Sequence, residues 1–212
     1  MKNLAVAEKW DRIARFYNWS TRASERRWAP FKKELFSRMG FGKILFLATG
    51  TGEEIRLFPE GRQIAAIDIS PQMLKRAEAR ALNYNGNLAL KQMDVRNLSF
   101  AADTFDQVFT SCTFCSVPEP IKGLKELFRV LKPGGTLNMF EHTRSRHFPF
   151  REILWMMNPV AERIGPSLTR DTVANVRAAG FSVKSIYNIY LDIVKIISAE
   201  KQLDLQQNPK TA

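Results

Sequence analysis

The sequence predicts an α/β protein whose mostly parallel sheet carries helices on both faces. Three observations lead there. Strand-like apolar runs alternate with helical runs along most of the chain. One of them, Lys43-Ile44-Leu45-Phe46-Leu47, breaks into the small-residue turn Ala48-Thr49-Gly50-Thr51-Gly52. The next ends in a carboxylate, Asp68, sixteen residues after Gly52. Together the turn and the carboxylate suit a nucleoside. Glycine lets the backbone approach the ligand, and an acidic residue at the following strand end accepts hydrogen bonds from both ribose hydroxyls.

Taken in order, the elements begin with two helices before residue 40. Trp10, Ile13, Ala14 and Tyr17 recur at helical spacing, as do Trp28, Phe31, Leu35 and Met39. A strand over 43–48 follows, then a short helix near 53–57, a strand over 63–68 and a helix over 71–82. Next come strands over 87–92 and 105–111, a helix over 119–131 and a strand over 136–141. Asn85-Gly86, Pro118 and Pro133-Gly134-Gly135 supply the turns between them. The chain closes with strands over 181–188 and 189–198 and a polar tail over 201–212.

The details of the turn separate one cofactor from another. A dinucleotide fingerprint needs a third glycine where this chain has Ile55, and no Gly-Lys-Ser/Thr exists to make a P-loop. The four blocks Leu47 to Gly52, Ile67-Asp68-Ile69-Ser70-Pro71-Gln72-Met73-Leu74, Met93-Asp94-Val95 and Phe105-Asp106-Gln107-Val108 leading to Leu127 to Gly135 stand in a telling order. In that order and spacing the sequence resembles the class I S-adenosylmethionine (SAM) dependent methyltransferases over roughly residues 40–182. The resemblance implies a Rossmann-like fold with a seven-stranded, mostly parallel sheet, a C-terminal antiparallel hairpin and an N-terminal helical lid. It implies SAM as cofactor and S-adenosylhomocysteine as product. Gly50 and Gly52 would then lie under the methionine part, Asp68 would hold the ribose, and Asp94 would meet the adenine amino group. Ala48, Thr49, Ile69, Met73, Met93, Val95 and Ser111 complete the expected cofactor site. Phe46 stands where the family commonly has an acidic residue and Ala48 where it has its first glycine, although Ala-Thr-Gly-Thr-Gly is similar to the form in quinone-biosynthesis methyltransferases.

At 212 residues and 45% hydrophobic content, the chain suits one α/β domain over 1–200. Within it, 1–40 is expected as a basic amphipathic lid and 143–170 as a substrate-side insertion. Two cysteines make no disulfide framework, which favours a reducing cytoplasm. Cys112 and Cys115 lack the second pair that a zinc site requires, so no metal is expected. Neither a signal peptide nor a membrane span is expected. Residues 1–43 hold eleven Lys or Arg against four Asp or Glu, in a chain of net charge +11. Basic helices bearing tryptophan suit an anionic bilayer, so a peripheral place on the inner face of the membrane is expected, with phospholipid as the partner. A nucleic-acid partner is not expected, because no recognised module is present. Nothing in the sequence speaks for an oligomer, and a monomer is the default.

The segment His147 to Pro159 is aromatic, rich in Met and flanked by Arg144, Arg146 and Arg151. It reads either as core or as an apolar lipid pocket, in which those arginines would meet a phosphate and Trp155 the chain. Ser111-Cys112-Thr113-Phe114 occupies the place of the Asn/Asp-Pro-Pro-Tyr motif used on planar nitrogens, which argues against DNA adenine and amide acceptors. His142 is the candidate base, with Tyr17 and Tyr187 as further candidates, and Glu141 is placed to order a cationic amine. The expected reaction is stepwise N-methylation of phosphatidylethanolamine to phosphatidylcholine. C-methylation of a quinone precursor and methylation of a small thiol are the alternatives, the latter because Cys112 to Val117 resembles a stretch of membrane-associated thiol methyltransferases. A protein that binds SAM or lipid without catalysis, and an RNA methyltransferase, are the remaining readings.

Overall fold

Strand β1, Lys43–Leu47, is buried on both sides, and this is why its sequence is an uninterrupted apolar run. In the computed structural model, which describes residues 2–203, its alternate residues feed two cores. Leu45 and Leu47 join Val108, Leu137 and Met139 on one face of the sheet, and Ile44 and Phe46 join Phe109 and Phe140 on the other. Phe46, in the place of the family's common acidic residue, is fully buried and packs on Phe58 at a ring separation of 4.7 Å. The aromatic side chain serves the core and does not face the cleft.

The other strands are β2 (Gln63–Asp68), β3 (Asn87–Gln92), β4 (Phe105–Ser111), β5 (Leu131–His142), β6 (Ser182–Tyr190) and β7 (Val194–Glu200). They form one sheet in the order β3-β2-β1-β4-β5-β7-β6. Pairing is parallel from β3 through β5, while β7 runs antiparallel to both β5 and β6. This is the expected mostly parallel seven-stranded sheet with its C-terminal hairpin.

The helices are α1 (Lys2–Ala14), α2 (Tyr17–Phe36), α3 (Pro71–Leu82), α4 (Pro120–Val130), α5 (Phe150–Ile164) and α6 (Thr172–Ala178). Local chemistry sets their starts. Pro71 opens α3, where the missing N–H costs nothing, and the Ser70 hydroxyl accepts from Met73 N at 3.0 Å. Pro120 likewise opens α4, whose Leu124, Leu127 and Val130 are buried against the sheet. Asp171 caps α6 by accepting from Ala174 N at 3.0 Å.

Four boundaries differ from the sequence reading. The run 10–19 is interrupted at Arg15 and Phe16, so that α1 lies on α3 while α2 packs on the sheet and the 53–57 turn. The expected short helix at 53–57 is a 3-10 turn. β5 begins at Leu131, which pairs with Phe105 before the Pro-Gly-Gly irregularity, and regular pairing resumes at Thr136. The hairpin reverses at residues 191–193 instead of 188–189, with Leu191 and Asp192 at positive φ of 45° and 58°. No glycine marks that turn, so its position was not readable from composition. The tail expected over 201–212 lies outside the described residues from 204 onward. Among the described residues, no helix is long and apolar enough to cross a membrane.

Candidate active site

Strand order reverses between β1 and β4, which leaves a crevice at their carboxyl ends where open α/β sheets bind ligands. A cleft of about 780 Å³ opens there. Ala48, Gly50, Asp68, Ile69, Met73, Met93, Asp94, Val95 and Ser111 all line it, together with Val6, Trp10 and Tyr17 of the lid. Thr49 turns its hydroxyl back to Ile67 O at 3.2 Å. Gly52 has φ of 81°, and a Cβ there would come within 3.1 Å of Ala77 and Ile55; its place is packing beneath the turn.

Asp68 is held at two points, accepting from Gly50 N at 2.8 Å and from Ser70 N at 2.9 Å. Burial raises its carboxyl pKa, and the backbone hydrogen bonds oppose that shift. The carboxylate is therefore fixed at the strand end, with lone pairs left for a ligand's hydroxyls. Asp94 is engaged by Arg96 through Nε at 3.0 Å and Nη2 at 2.7 Å and by Arg96 N at 2.9 Å. Burial would raise Asp94, but the Arg96 guanidinium outweighs it and holds the carboxyl low. Arg96 is a residue that the sequence reading missed. It braces Asp94 on the cleft wall.

A second cavity, of about 380 Å³, meets the first at Tyr17, Ala48, Gly50, Ser111 and Cys112. Lys32, Glu25 and Glu54 lie on its wall. Lys32 is 1% exposed and donates to Glu25 at 2.9 Å and Glu54 at 2.6 Å. Burial would lower its ammonium pKa, but Glu54, Cys112 and Glu25 raise it, so it stays charged. In sequence, Lys32 reads as part of the exposed basic face of α2; the structure buries it as a counter-ion, and only the fold could reveal that. A cavity with both charge signs beside a glycine turn suits the α-amino carboxylate end of an amino-acid sulfonium. At the junction the Ser111 hydroxyl is buried without a hydrogen-bond partner among the described residues.

The lid is tied down at both of its helices. Asp11 accepts from the Ser70 hydroxyl and from Gln72 N at 3.1 Å. Asn18 bonds the Thr51 hydroxyl and donates to Glu53 at 3.0 Å. Tyr17 packs edge-on against Trp10, and no hydrogen bond engages its hydroxyl among the described residues. Burial raises the phenol pKa and neighbouring acidic groups add to the shift, so Tyr17 stays protonated at neutral pH. Trp28, Phe31, Leu35 and Met39, read in sequence as one face of a basic helix, pack into the core, where Trp28 meets Phe140 and Tyr190.

The expected catalytic residues separate. Glu141 is fully buried and accepts from Thr110 Oγ1 at 2.8 Å, Thr113 N at 3.0 Å and Phe114 N at 3.2 Å. Its carboxylate shapes the loop after β4 and is sealed from any substrate amine, so the role expected for it is withdrawn. His142 stands behind Cys112, with Nδ1 3.5 Å from Sγ, and Cys112 is the one of the two that lines the cleft. Burial, with Lys32 nearby, lowers the His142 pKa, leaving a neutral imidazole at pH 7. Tyr187 is exposed on β6 and lines none of the cavities described. Arg144 pairs with Asp171 at 2.6 Å and Arg146 approaches the same carboxylate at 3.9 Å. Arg151 pairs with Glu152, and Trp155 is 72% exposed on α5. The arginine-rimmed lipid pocket is therefore not assembled: these residues lie on the outer surface because α5 turns its apolar side outward. No cluster of metal-ligating side chains exists among the described residues.

Residues 45–139 match the family profile described as Methyltransferase domain. Thiol S-methyltransferase TMT1B of Homo sapiens is 33% identical over 178 residues, covering 76% of this chain and 72% of the relative. Ubiquinone/menaquinone biosynthesis C-methyltransferase UbiE of Geotalea daltonii is 30% identical over 162 residues, covering 72% and 69%. Among solved structures, a SAM-dependent methyltransferase of Thermotoga maritima, described as a possible histamine N-methyltransferase, superposes with a TM-score of 0.68 at 17% identity. That superposition covers 93% of this chain and 100% of the other, and it speaks for the fold alone.

Proposed function

Since the chain belongs to the class I SAM-dependent methyltransferases, we propose that this enzyme methylates a small thiol. One observation carries the reading. Where the two cavities meet, the wall consists of Tyr17, Ala48, Gly50, Ser111 and Cys112, without an ionised side chain. A neutral thiol enters such a corner at little desolvation cost, whereas a cationic amine needs a carboxylate that Glu141, sealed behind the loop, does not offer. The thiol S-methyltransferase relative points the same way.

When bound, SAM supplies an electrophilic methyl carbon. The chain's own work is alignment, exclusion of water and removal of the acceptor's proton. Asp68 and Asp94 on the cleft wall would hold the nucleoside end of SAM, and the Lys32 cavity would hold its amino-acid end. Trp10 and Tyr17 line the cleft on the side of α1 and α2. Neutral His142 accepts the thiol proton through the Cys112 thiol, which burial keeps protonated and able to relay it. His142→Gln should cut turnover without changing affinity for S-adenosylhomocysteine, and should remove the acidic limb of the pH–rate profile.

C-methylation of a quinone precursor is the second reading, favoured by the Ala48 to Gly52 turn and the quinone-biosynthesis relative. The phosphatidylethanolamine reading, favoured by the basic N-terminal helices and the absence of a planar-nitrogen motif but left without its arginine-rimmed pocket, stands third. Either membrane-soluble acceptor fits a place at an anionic bilayer, supported by α5. Its Ile153, Trp155, Met156, Met157 and Val160 are all exposed, between exposed Arg151 and Arg163. Incubation with methyl-labelled SAM, short-chain thiols, a demethylated quinone and phosphatidylethanolamine vesicles decides among the acceptors. Label on the thioether supports the proposal; label on the ring or the headgroup alone overturns it.

A further inference from the structure

A third cavity, of about 530 Å³, lies between α1 and the segment joining α5 to α6. It adjoins the cofactor cleft at Val6, Trp10, Ser116 and Pro118, which line both. Its charged wall consists of Lys9, Arg170 and Glu162, an excess of one cation. The cations differ in their partners. Lys9 is engaged by Glu162 O at 3.0 Å. Arg170 Nε is buried without a hydrogen-bond partner, and no carboxylate pairs with its guanidinium among the described residues.

The carboxylates nearby in sequence and on the wall are committed elsewhere. Asp171 pairs with Arg144 and caps α6. Glu162 accepts from Asn158 at 2.9 Å. Arg170 is half-buried on the wall of a cavity that adjoins the reaction cleft, and a guanidinium so placed without a carboxylate partner among the described residues is a receptor for a planar anion. Leaving the buried Nε unpaired costs stability.

We propose that this cavity binds the carboxylate end of the methyl acceptor, and that Arg170 selects acidic thiols over neutral ones. The proposal rests on the thiol reading for its choice of substrate, but not for the anion site itself. Two measurements separate them. In steady-state assays with 3-mercaptopropionate and 3-mercapto-1-propanol, Arg170→Gln should raise KM for the acid at least tenfold. It should leave the alcohol and the affinity for S-adenosylhomocysteine within twofold, and Arg170→Lys should recover part of the loss. Titration of the protein loaded with S-adenosylhomocysteine by 3-(methylthio)propionate should show binding that Arg170→Gln abolishes. Carboxylate binding without thiol turnover keeps the anion site and removes the thiol reading. Thiol turnover with no preference for the acid, or an equal shift for both thiols in Arg170→Gln, overturns the proposal.

Discussion

The Asp11 carboxylate accepts a hydrogen bond from the Ser70 hydroxyl, 59 residues further along the chain. Ser70 N in turn donates to Asp68, so the lid and the carboxylate at the end of β2 share one short polar chain. Asp11→Ala removes acceptors from both Ser70 and Gln72 N. Charge-assisted bonds of this kind contribute about 1.5–3 kcal/mol, part of which water recovers at an opened lid. Affinity for S-adenosylhomocysteine is expected to fall by roughly five- to thirtyfold with little change in Tm. Calorimetric titration reads this, and unchanged affinity would show that the lid closes without the contact.

Lys32 is the counter-ion of two carboxylates. Lys32→Met fills the volume but leaves Glu25 and Glu54 close together without a cation. Breaking a buried pair by removing one partner costs about 3–5 kcal/mol. Chemical denaturation should show a loss of that order, larger at pH 8 than at pH 5, because protonating Glu25, whose pKa burial has already raised, relieves the repulsion.

Glu141 makes stability fall with pH. Burial lifts its carboxyl to about 7, against hydrogen bonds from Thr110, Phe114 and Thr113 that lower it. Between the ordinary value of 4.5 and about 7 the folded chain therefore holds a proton that the unfolded chain has lost. Its contribution is fully present below pH 4.5 and lost as pH rises towards 7, on the order of a few kcal/mol. Glu141→Gln should flatten that part of the stability curve while costing stability through imperfect pairing with the loop amides. A curve of unchanged slope would count against the raised carboxyl.

The α5 surface predicts binding to lipid. Trp155→Ser together with Met156→Ser removes two large apolar groups, each worth about 1.5–3 kcal/mol when buried. Co-sedimentation with anionic vesicles should fall at least tenfold, with Tm held within a few degrees, and raised salt should weaken the wild-type protein too. Wild-type partition that the double substitution leaves unchanged would remove α5 from the interface. A dimer that it dissolves would assign the face to a second copy of the chain.

The sheet, the glycine turn and the carboxylates Asp68 and Asp94 were legible in the sequence because they are local. A strand buried on both faces must be continuously apolar, a close ligand approach demands small residues, and a ribose demands an acceptor at the next strand end. Each requirement is met within a few residues, so each leaves a pattern. Residues whose roles depend on distant partners left none. Lys32 read as surface charge until Glu25 and Glu54 surrounded it. Glu141 read as a substrate ligand until the loop amides closed over it. The apolar run of α5 fits a core as well as a surface, and only packing turned Trp155 outward. A side chain's charge and shape are written in its identity, but its solvent and its neighbours are set by the tertiary fold. Those two conditions decide whether a carboxylate binds, braces or stays protonated.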